Sequence, residues 1–317
     1  MSMDDTWRDV RTFHYVFGHP IAHSPTFLQA PRRDARAGRM LEEIQEFQEA
    51  ETVHDQVDAM IDLIYFALGT LVELGVRPDG PLNTVQAANM AKLWPDGSAR
   101  YRTDGKTIKP HGWVDPRDAL KAVIDAQAAS RSGEVQSTYR YPFVLAQPYL
   151  CFAAVIAMII RAHSSLTISQ EELGAILGVT VPKPGDGSAP TSWGIAPCRD
   201  SISRAFSALH VPLCDESVHV SELEDWQFEN RIADALRQGL HVACGYDYGV
   251  LKSGSNSQVG HASLVTAILP ETSVTLLDPG PDGFGLQEAS AAALYAAVKA
   301  RSGWLWMFRP TLERWTL

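Results

Sequence analysis

The sequence predicts a multidomain protein, an all-α helical bundle followed by an α+β domain. A length of 317 residues fits two domains, one large domain being the alternative. Residues 34–91 carry leucine, isoleucine, alanine and acidic residues at helical spacing, with few β-branched runs. Past residue 140, helical segments give way to short apolar runs of strand length, the order of an α+β fold. The apolar fraction of 45% and charged fraction of 20% are those of an ordinary globular protein.

Within the first half, Arg39–Glu51 reads as one helix. Val53–Leu74 reads as a second, with Gly75 as its stop. Leu82–Leu93 is a third. Trp94-Pro95-Asp96-Gly97 and Asp104-Gly105 are turn chemistry, the latter closing a short hairpin before Pro110. Pro116–Ala128 gives a last helix. Small polar residues over 129–140 mark a linker, so the domains are expected at 1–128 and 141–317. In the second, helices are expected near Pro148–Ala162, Ser169–Leu177 and Cys198–Leu209. Ser169 and Glu172 have capping-box spacing. Strands are expected at His241–Gly245, Ala262–Leu269, Ser273–Leu277 and Trp304–Phe308.

A net charge of −10 argues against broad nucleic-acid or anionic-membrane binding, and leaves room for a local basic pocket. Met1–Val10 has no apolar core and reads as no secretory signal. The longest apolar runs, Leu63–Val72 and Phe152–Ile160, are too short to span a bilayer. Four cysteines without a CxxC pair fit a reducing compartment. The expected location is therefore cytoplasmic.

Two constellations carry chemistry. In the first, Glu43 and Glu46 lie three apart on one helix, and Asp55, Asp58 and Asp62 share a face of the next. Asp62 is the only charge between Ala59 and Val72, so it is expected to be buried and neutralised, paired or metal-bound. Facing carboxylates make a hard-oxygen site suited to Mg²⁺. In the second, Cys151 follows Gln147-Pro148 and precedes an apolar stretch. If Pro148 opens the helix, Cys151 sits in the first turn, where the helix dipole favours a thiolate. Gln147 can supply an oxyanion donor. His261 and Asp278, on successive strands, complete the order of a Cys–His–Asp triad. The plainer alternative is a small core cysteine.

Phe13–Leu120 resembles the all-α nucleoside triphosphate pyrophosphohydrolases of the MazG and phosphoribosyl-ATP pyrophosphohydrolase type. The resemblance rests on Glu42–Glu46 as EExxE, on the run Asp58–Tyr65, on Asn89-Met90-Ala91-Lys92, and on Asp104-Gly105-Lys106 with Lys109-Pro110. It implies a helical bundle that dimerises or forms tetramers. It also implies Mg²⁺, with Mn²⁺ as a substitute, held by Glu43, Glu46, Asp58 and Asp62, and cleavage of a nucleotide between its α and β phosphates. Asn89, Lys92, Lys106 and Lys109 become the nucleotide-binding residues. The chain departs from the family's ExxD motif at Ala59, where Asp58 or Asp55 can supply the missing ligand.

Tyr141–Pro310 resembles papain-like cysteine peptidases, most closely the bacterial kind that processes double-glycine leaders. This implies Cys151 as nucleophile, His261 as general base and acid, Asp278 as its orienting partner and Gln147 as oxyanion donor. Phe152 replaces the glycine common after the cysteine, and relatives of this fold also transfer acyl groups.

Other signals are weaker. Gly185–Ser188 reads as a surface loop, and His14, His19 and His23 as surface histidines rather than a chelate. Trp193 and Trp226 read as core. Three functions follow: a bifunctional hydrolase; a peptidase or acyltransferase with a nucleotide-sensing, oligomerising helical domain; or a nucleotide hydrolase with an idle second domain. Expected partners are a nucleotide, a peptide or acyl substrate, and copies of the chain meeting through the helical domain.

Overall fold

The computed structural model describes residues 2–179, 198–257, 259–269, 272–280, 284–301 and 303–311. The chain divides into two compact units, Met1–Ser132 and Gly133–Leu317.

The first unit is helical: α1 (Met3–Val16), α2 (Ala30–Glu49), α3 (Val53–Leu74), α4 (Asp79–Met90) and α5 (Arg117–Ser130). Ser2 and Asp5 form a capping box that starts α1, a helix the composition did not suggest. α2 begins nine residues before the expected Arg39, because Pro31 sits in its first turn and pre-sets a helical φ. Thr52 and Asp55 cap α3, and Gly75 ends it at φ +68°. Gly75 is also sterically required, since a Cβ there would meet the Ser24 carbonyl at 2.2 Å. The 101–107 segment closes as a hairpin through a Tyr101–Thr107 bridge.

This unit has a small core of Trp7, Val10, Leu68 and Val72. An apolar stripe stays uncovered. It comprises Val53, Val57, Ile61 and Ile64 on α3, with Leu41 and Ile44 on α2. Those spacings of three and four place each set along one helix face.

The second unit is α+β. β1 (Val135–Gln136) is followed by helices α6 (Cys151–His163), α7 (Gln170–Leu177) and α8 (Arg199–Ala208). Strands β2 (Leu213–Asp215) and β3 (Val218–His219) precede α9 (Asp225–Arg237), β4 (His241–Asp247) and α10 (Tyr248–Ser253). Then come β5 (Gly260–Leu269), β6 (Ser273–Asp278), β7 (Gly285–Ser290), α11 (Ala291–Ala300) and β8 (Trp304–Pro310). The antiparallel sheet runs β2-β8-β4-β5-β6-β7. On one face α9 and α11 pack over Val242, Cys244, Tyr246, Val265, Leu276 and Met307. Elsewhere on the sheet, Phe152 of α6 meets Trp306 edge-on, and Phe206 of α8 meets Phe308.

Every residue from Phe152 to Ile160 is buried. A helix apolar all round belongs in a core, so α6 is the unit's central helix. It does not start at Pro148 as expected. Pro148 and Tyr149 form a turn closed by Leu150 N–H donating to the Gln147 carbonyl (3.0 Å), and Tyr149 adopts φ +68°. Trp226 is exposed rather than core, at the first turn of α9. Trp193 and Gly185–Ser188 lie outside the described residues. Among the described residues no single helix is long and apolar enough to cross a membrane.

Candidate active sites

In the first unit, α2 and α3 bring the predicted carboxylates onto neighbouring faces. Glu43 is buried at 8% exposure, and its Oε2 has no hydrogen-bond partner. Burial raises its pKa, and the charges of Glu46, Asp62, Glu42 and Asp58 raise it further. Glu46, Asp58 and Asp62 are exposed. Exposed Asp62 contradicts the expectation of burial. Its apolar neighbours Ile61, Ile64 and Tyr65 are themselves exposed, because α3 presents more apolar surface than the small bundle covers. Ala59, where the family's glutamate would stand, is buried. Among the described residues, no three His, Cys, Asp or Glu side chains converge tightly enough to hold an ion.

Beside these carboxylates lies a basic, aromatic cavity of about 240 Å³. Phe13, His14, His19, Arg32, Arg36, Arg39, Tyr65 and Phe66 contribute to its lining. Arg32 grips the buried Glu73 with two hydrogen bonds, at 2.6 and 2.5 Å. Arg36 donates to Thr70 Oγ1 and to the Phe66 carbonyl. Gly69 makes room for it, since a Cβ there would lie 2.6 Å from the Arg36 guanidinium. Phe13 stacks on His19 and meets Tyr65 edge-on. His14 is buried, not on the surface, and its Nδ1 bonds the Pro20 carbonyl at 2.8 Å.

Asn89 accepts a hydrogen bond from Lys92 (2.7 Å), Lys109 lies over the Trp113 ring, and Lys106 is exposed in the hairpin turn. The arginine cavity was missed in the sequence, because nothing local to Arg32, Arg36 and Arg39 shows what packs over them. Their i, i+4, i+7 spacing was the available signal.

In the second unit, Cys151, His261 and Asp278 come together from three elements. Cys151 is the first residue of α6. His261 Nε2 donates to Asp278 Oδ1 at 2.6 Å. The same oxygen accepts the Gly280 N–H at 2.8 Å. With Nε2 committed to Asp278, Nδ1 is the nitrogen left for Cys151. Burial alone would depress the imidazolium. Hydrogen bonds to Asp278 and Cys151, with their charges, outweigh burial and lift its pKa to about 10. Tyr246 and Tyr248 meet the imidazole edge-on, both at 5.6 Å.

Leu264 pairs with Leu277 across β5 and β6. Extending that register by three residues sets Gly280 opposite His261. A Cβ on Gly280 would lie 2.5 Å from His261 Cε1, so only glycine leaves the imidazole its place. Gly280 is a site residue that the Asp-Pro-Gly run already signals. Gln147 is exposed. Its N–H donates to Gln170 Oε1 (2.9 Å) at the start of α7, and Gln170 Nε2 donates to the Leu145 carbonyl. Ala146 N–H donates to the Pro279 carbonyl at 2.7 Å. The loop before Cys151 is thereby tied to the loop after Asp278. The remaining cysteines differ. Cys244 is buried, which pushes its thiol well up. Cys198 is exposed and lowered, chiefly by the Ser201 N–H.

Residues 10–89 match the phosphoribosyl-ATP pyrophosphohydrolase family. Thirty chains of solved structures also match. One is a protein from Exiguobacterium sp. 255-15 described provisionally as an NTP pyrophosphohydrolase. It is 30% identical over 40% of this chain and 97% of its own, with a TM-score of 0.24. That score is too low to compare folds, and the likeness is one of sequence. No curated protein matches the chain. The family match thus marks an N-terminal domain of phosphoribosyl-ATP pyrophosphohydrolase type within the first unit. The protein is a hydrolase.

Proposed function

We propose that the protein is a cytoplasmic, bifunctional hydrolase. Its first unit is a divalent-metal-dependent nucleotide pyrophosphohydrolase, and its second a cysteine hydrolase or acyltransferase of papain-like type. The observation that carries the first reading is Glu43, a buried carboxylate with an orphaned oxygen, crowded by four further carboxylates. Such a group is stable when a cation neutralises the set. Glu43, Glu46, Asp58 and Asp62 would hold Mg²⁺, or Mn²⁺ in its place.

The cation would offset charge on the phosphates and on the departing pyrophosphate. The arginine-lined cavity beside it suits a nucleotide, with Phe13, His19 and Tyr65 for the base and Arg36 and Arg39 for phosphate oxygens. Asn89, Lys92, Lys106 and Lys109 are the further phosphate ligands in this reading. Water attacks the α phosphorus, the bond to the bridging oxygen breaks, and a monophosphate and pyrophosphate leave. Two copies would meet through the uncovered stripe around Ile61, which places Asp62 at a covered interface.

Asp62→Asn tests this. With Mg²⁺ and a panel of nucleoside triphosphates, pyrophosphate release should fall more than about a hundredfold, since even outer-shell changes cost metal sites 10–100-fold. Unchanged metal affinity by calorimetry would sink the assignment.

The second reading rests on His261, which bridges Asp278 and Cys151. Cys151 Sγ attacks an acyl carbon and His261 gives a proton to the leaving group. Water, or another acceptor, then releases the acyl group from the thioester. Gln147's side-chain amide and the Cys151 N–H, at the helix start, would donate to the developing oxyanion. Peptide and acyl substrates share this chemistry. An idle module would have no use for an assembled triad. Iodoacetamide mapping near neutral pH should find Cys151 modified, slowed by His261→Ala and less by Asp278→Ala. Cys198, exposed and activated by Ser201, is the competitor, so dependence on His261 is the decisive readout. Absent labelling of native Cys151 would leave this unit without a cysteine enzyme.

A further inference from the structure

Two glycines stand beside His261, and each leaves room for a different side chain. Gly280 leaves room for the imidazole. Gly260, one residue before His261, leaves room for an arginine. Gly260 is not at positive φ, so its backbone does not demand glycine. Its surroundings do: a Cβ there would lie 2.8 Å from Arg301 Nε and 3.2 Å from Arg301 Nη2. The guanidinium of Arg301, the residue that caps α11, thus rests on the first residue of β5. That position is within about 8 Å of the His261 Cα.

The register shows which side of the sheet the guanidinium takes. Gly260 pairs with Asp247, Ala262 with Gly245, and Leu264 with Ala243, which in turn pairs with Trp306. Alternate residues share a face, so Gly260 belongs to the face of Trp306. α6 lies along that face: Phe152 meets Trp306, and His163 at the helix end bonds His241 at the start of β4. α6 therefore begins at the end of the sheet where β5 begins, and Cys151 stands there. His261 faces the opposite way from Gly260 and comes to Cys151 from the other side of the strand. Arg301 is exposed, and among the described residues no carboxylate pairs with it. The nearest acids are engaged. Asp278 holds His261 and the Gly280 N–H. Asp247 is buried and accepts from the Val250 N–H, the Ser257 N–H and Ser257 Oγ.

We propose that Arg301 is a specificity-determining residue of the second unit's site, placed to receive a carboxylate carried by the acyl substrate beside its reactive carbonyl. The proposal rests on the cysteine-hydrolase or acyltransferase reading given above. A planar guanidinium matches a carboxylate with two parallel hydrogen bonds. The chain's net charge of −10 repels anionic ligands in general, so a local cation beside the nucleophile is what lets one approach. Seating that cation on a glycine fixes its place in advance, which lowers the cost of ordering it on binding.

The test uses the full chain and two probes of similar size, iodoacetate and iodoacetamide, which differ by the carboxylate. Alkylation rates are mapped by mass spectrometry at Cys151, with exposed Cys198 as internal reference and buried Cys244 as a sentinel of the fold. The quantity read is the iodoacetate-to-iodoacetamide rate ratio at Cys151, divided by the same ratio at Cys198. Arg301→Gln should lower it about fivefold, the loss of one solvent-screened charge contact. Added salt should lower it in the wild type. Arg301→Lys, which keeps the charge, should retain most of the preference. Gly260→Ala, whose Cβ displaces the guanidinium, should reduce it as well. An unchanged ratio in Arg301→Gln would overturn the proposal and leave the cysteine site standing. So would a loss that Arg301→Lys shares in full, or one accompanied by labelling of Cys244, which marks a structural arginine. Labelling of Cys151 by neither probe removes the cysteine site itself, and the proposal with it.

Discussion

The two units solve the same problem, placing reactive groups, by opposite means. The helical unit carries its carboxylates on an uncovered surface. Of the four expected metal ligands Glu43 alone is buried, and Glu46, Asp58 and Asp62 face solvent beside an exposed apolar stripe. The second unit sets Cys151, His261 and Asp278 on a central buried helix and two paired strands. In the proposed reading a single copy of the second unit would be a finished site, whereas a single copy of the first would present half of one. Small helical bundles bury too little surface to do more alone.

Three changes would break or sharpen that contrast. The largest effect is expected from Gly280→Ala. The added Cβ falls 2.5 Å from His261 Cε1, so the imidazole must move, and a displacement near 1 Å costs about a hundredfold in a positioned reaction. Cys151 alkylation should slow by that order while circular dichroism and melting stay near wild type. A variant labelled at the wild-type rate would mean that the imidazole does not govern the thiol.

The next change strikes the stripe. Ile61 is 57% exposed in the single chain. Ile61→Asp would bury an unpaired charge in any interface formed there, which typically costs several kcal/mol. The isolated helical unit, residues 1 to 132, should be dimeric or larger by light scattering at micromolar concentration. The variant should be monomeric, with its helix content kept. A monomeric wild type would remove the contrast drawn above.

The smallest effect is a slope of stability against pH. His261 has a pKa of about 10 against an ordinary 6.5. A folded-state pKa raised above the unfolded one contributes stability that is fully present below about 6.5 and is lost as pH rises through 10. Denaturant midpoints of the full chain should fall across that window. His261→Gln should flatten the fall without touching the helical unit. A wild-type midpoint that is flat between those limits would show that the Asp278 and Cys151 contacts do not hold the proton.

Local chemistry was legible from residue order alone. The Thr52–Asp55 and Ser169–Glu172 caps, the Gly75 stop and the hairpin at Asp104-Gly105 all rest on interactions within a few residues. Cys151, His261 and Asp278 could be singled out as candidates because each sits in a short, recognisable context. The tertiary structure decided what no local pattern contains. α1, α9 and α11 are helices whose moderate composition becomes decisive only against a partner surface. Asp62 looked buried because its neighbours are apolar, yet burial depends on what covers them, and within one copy nothing does. Arg32, Arg36 and Arg39 became a cavity wall only when α1 and α3 closed over them. Gly280 became indispensable only when the β5–β6 register set it opposite His261. Capping and turns are energies of neighbours in sequence, whereas burial, cavities and collisions are energies of neighbours in space.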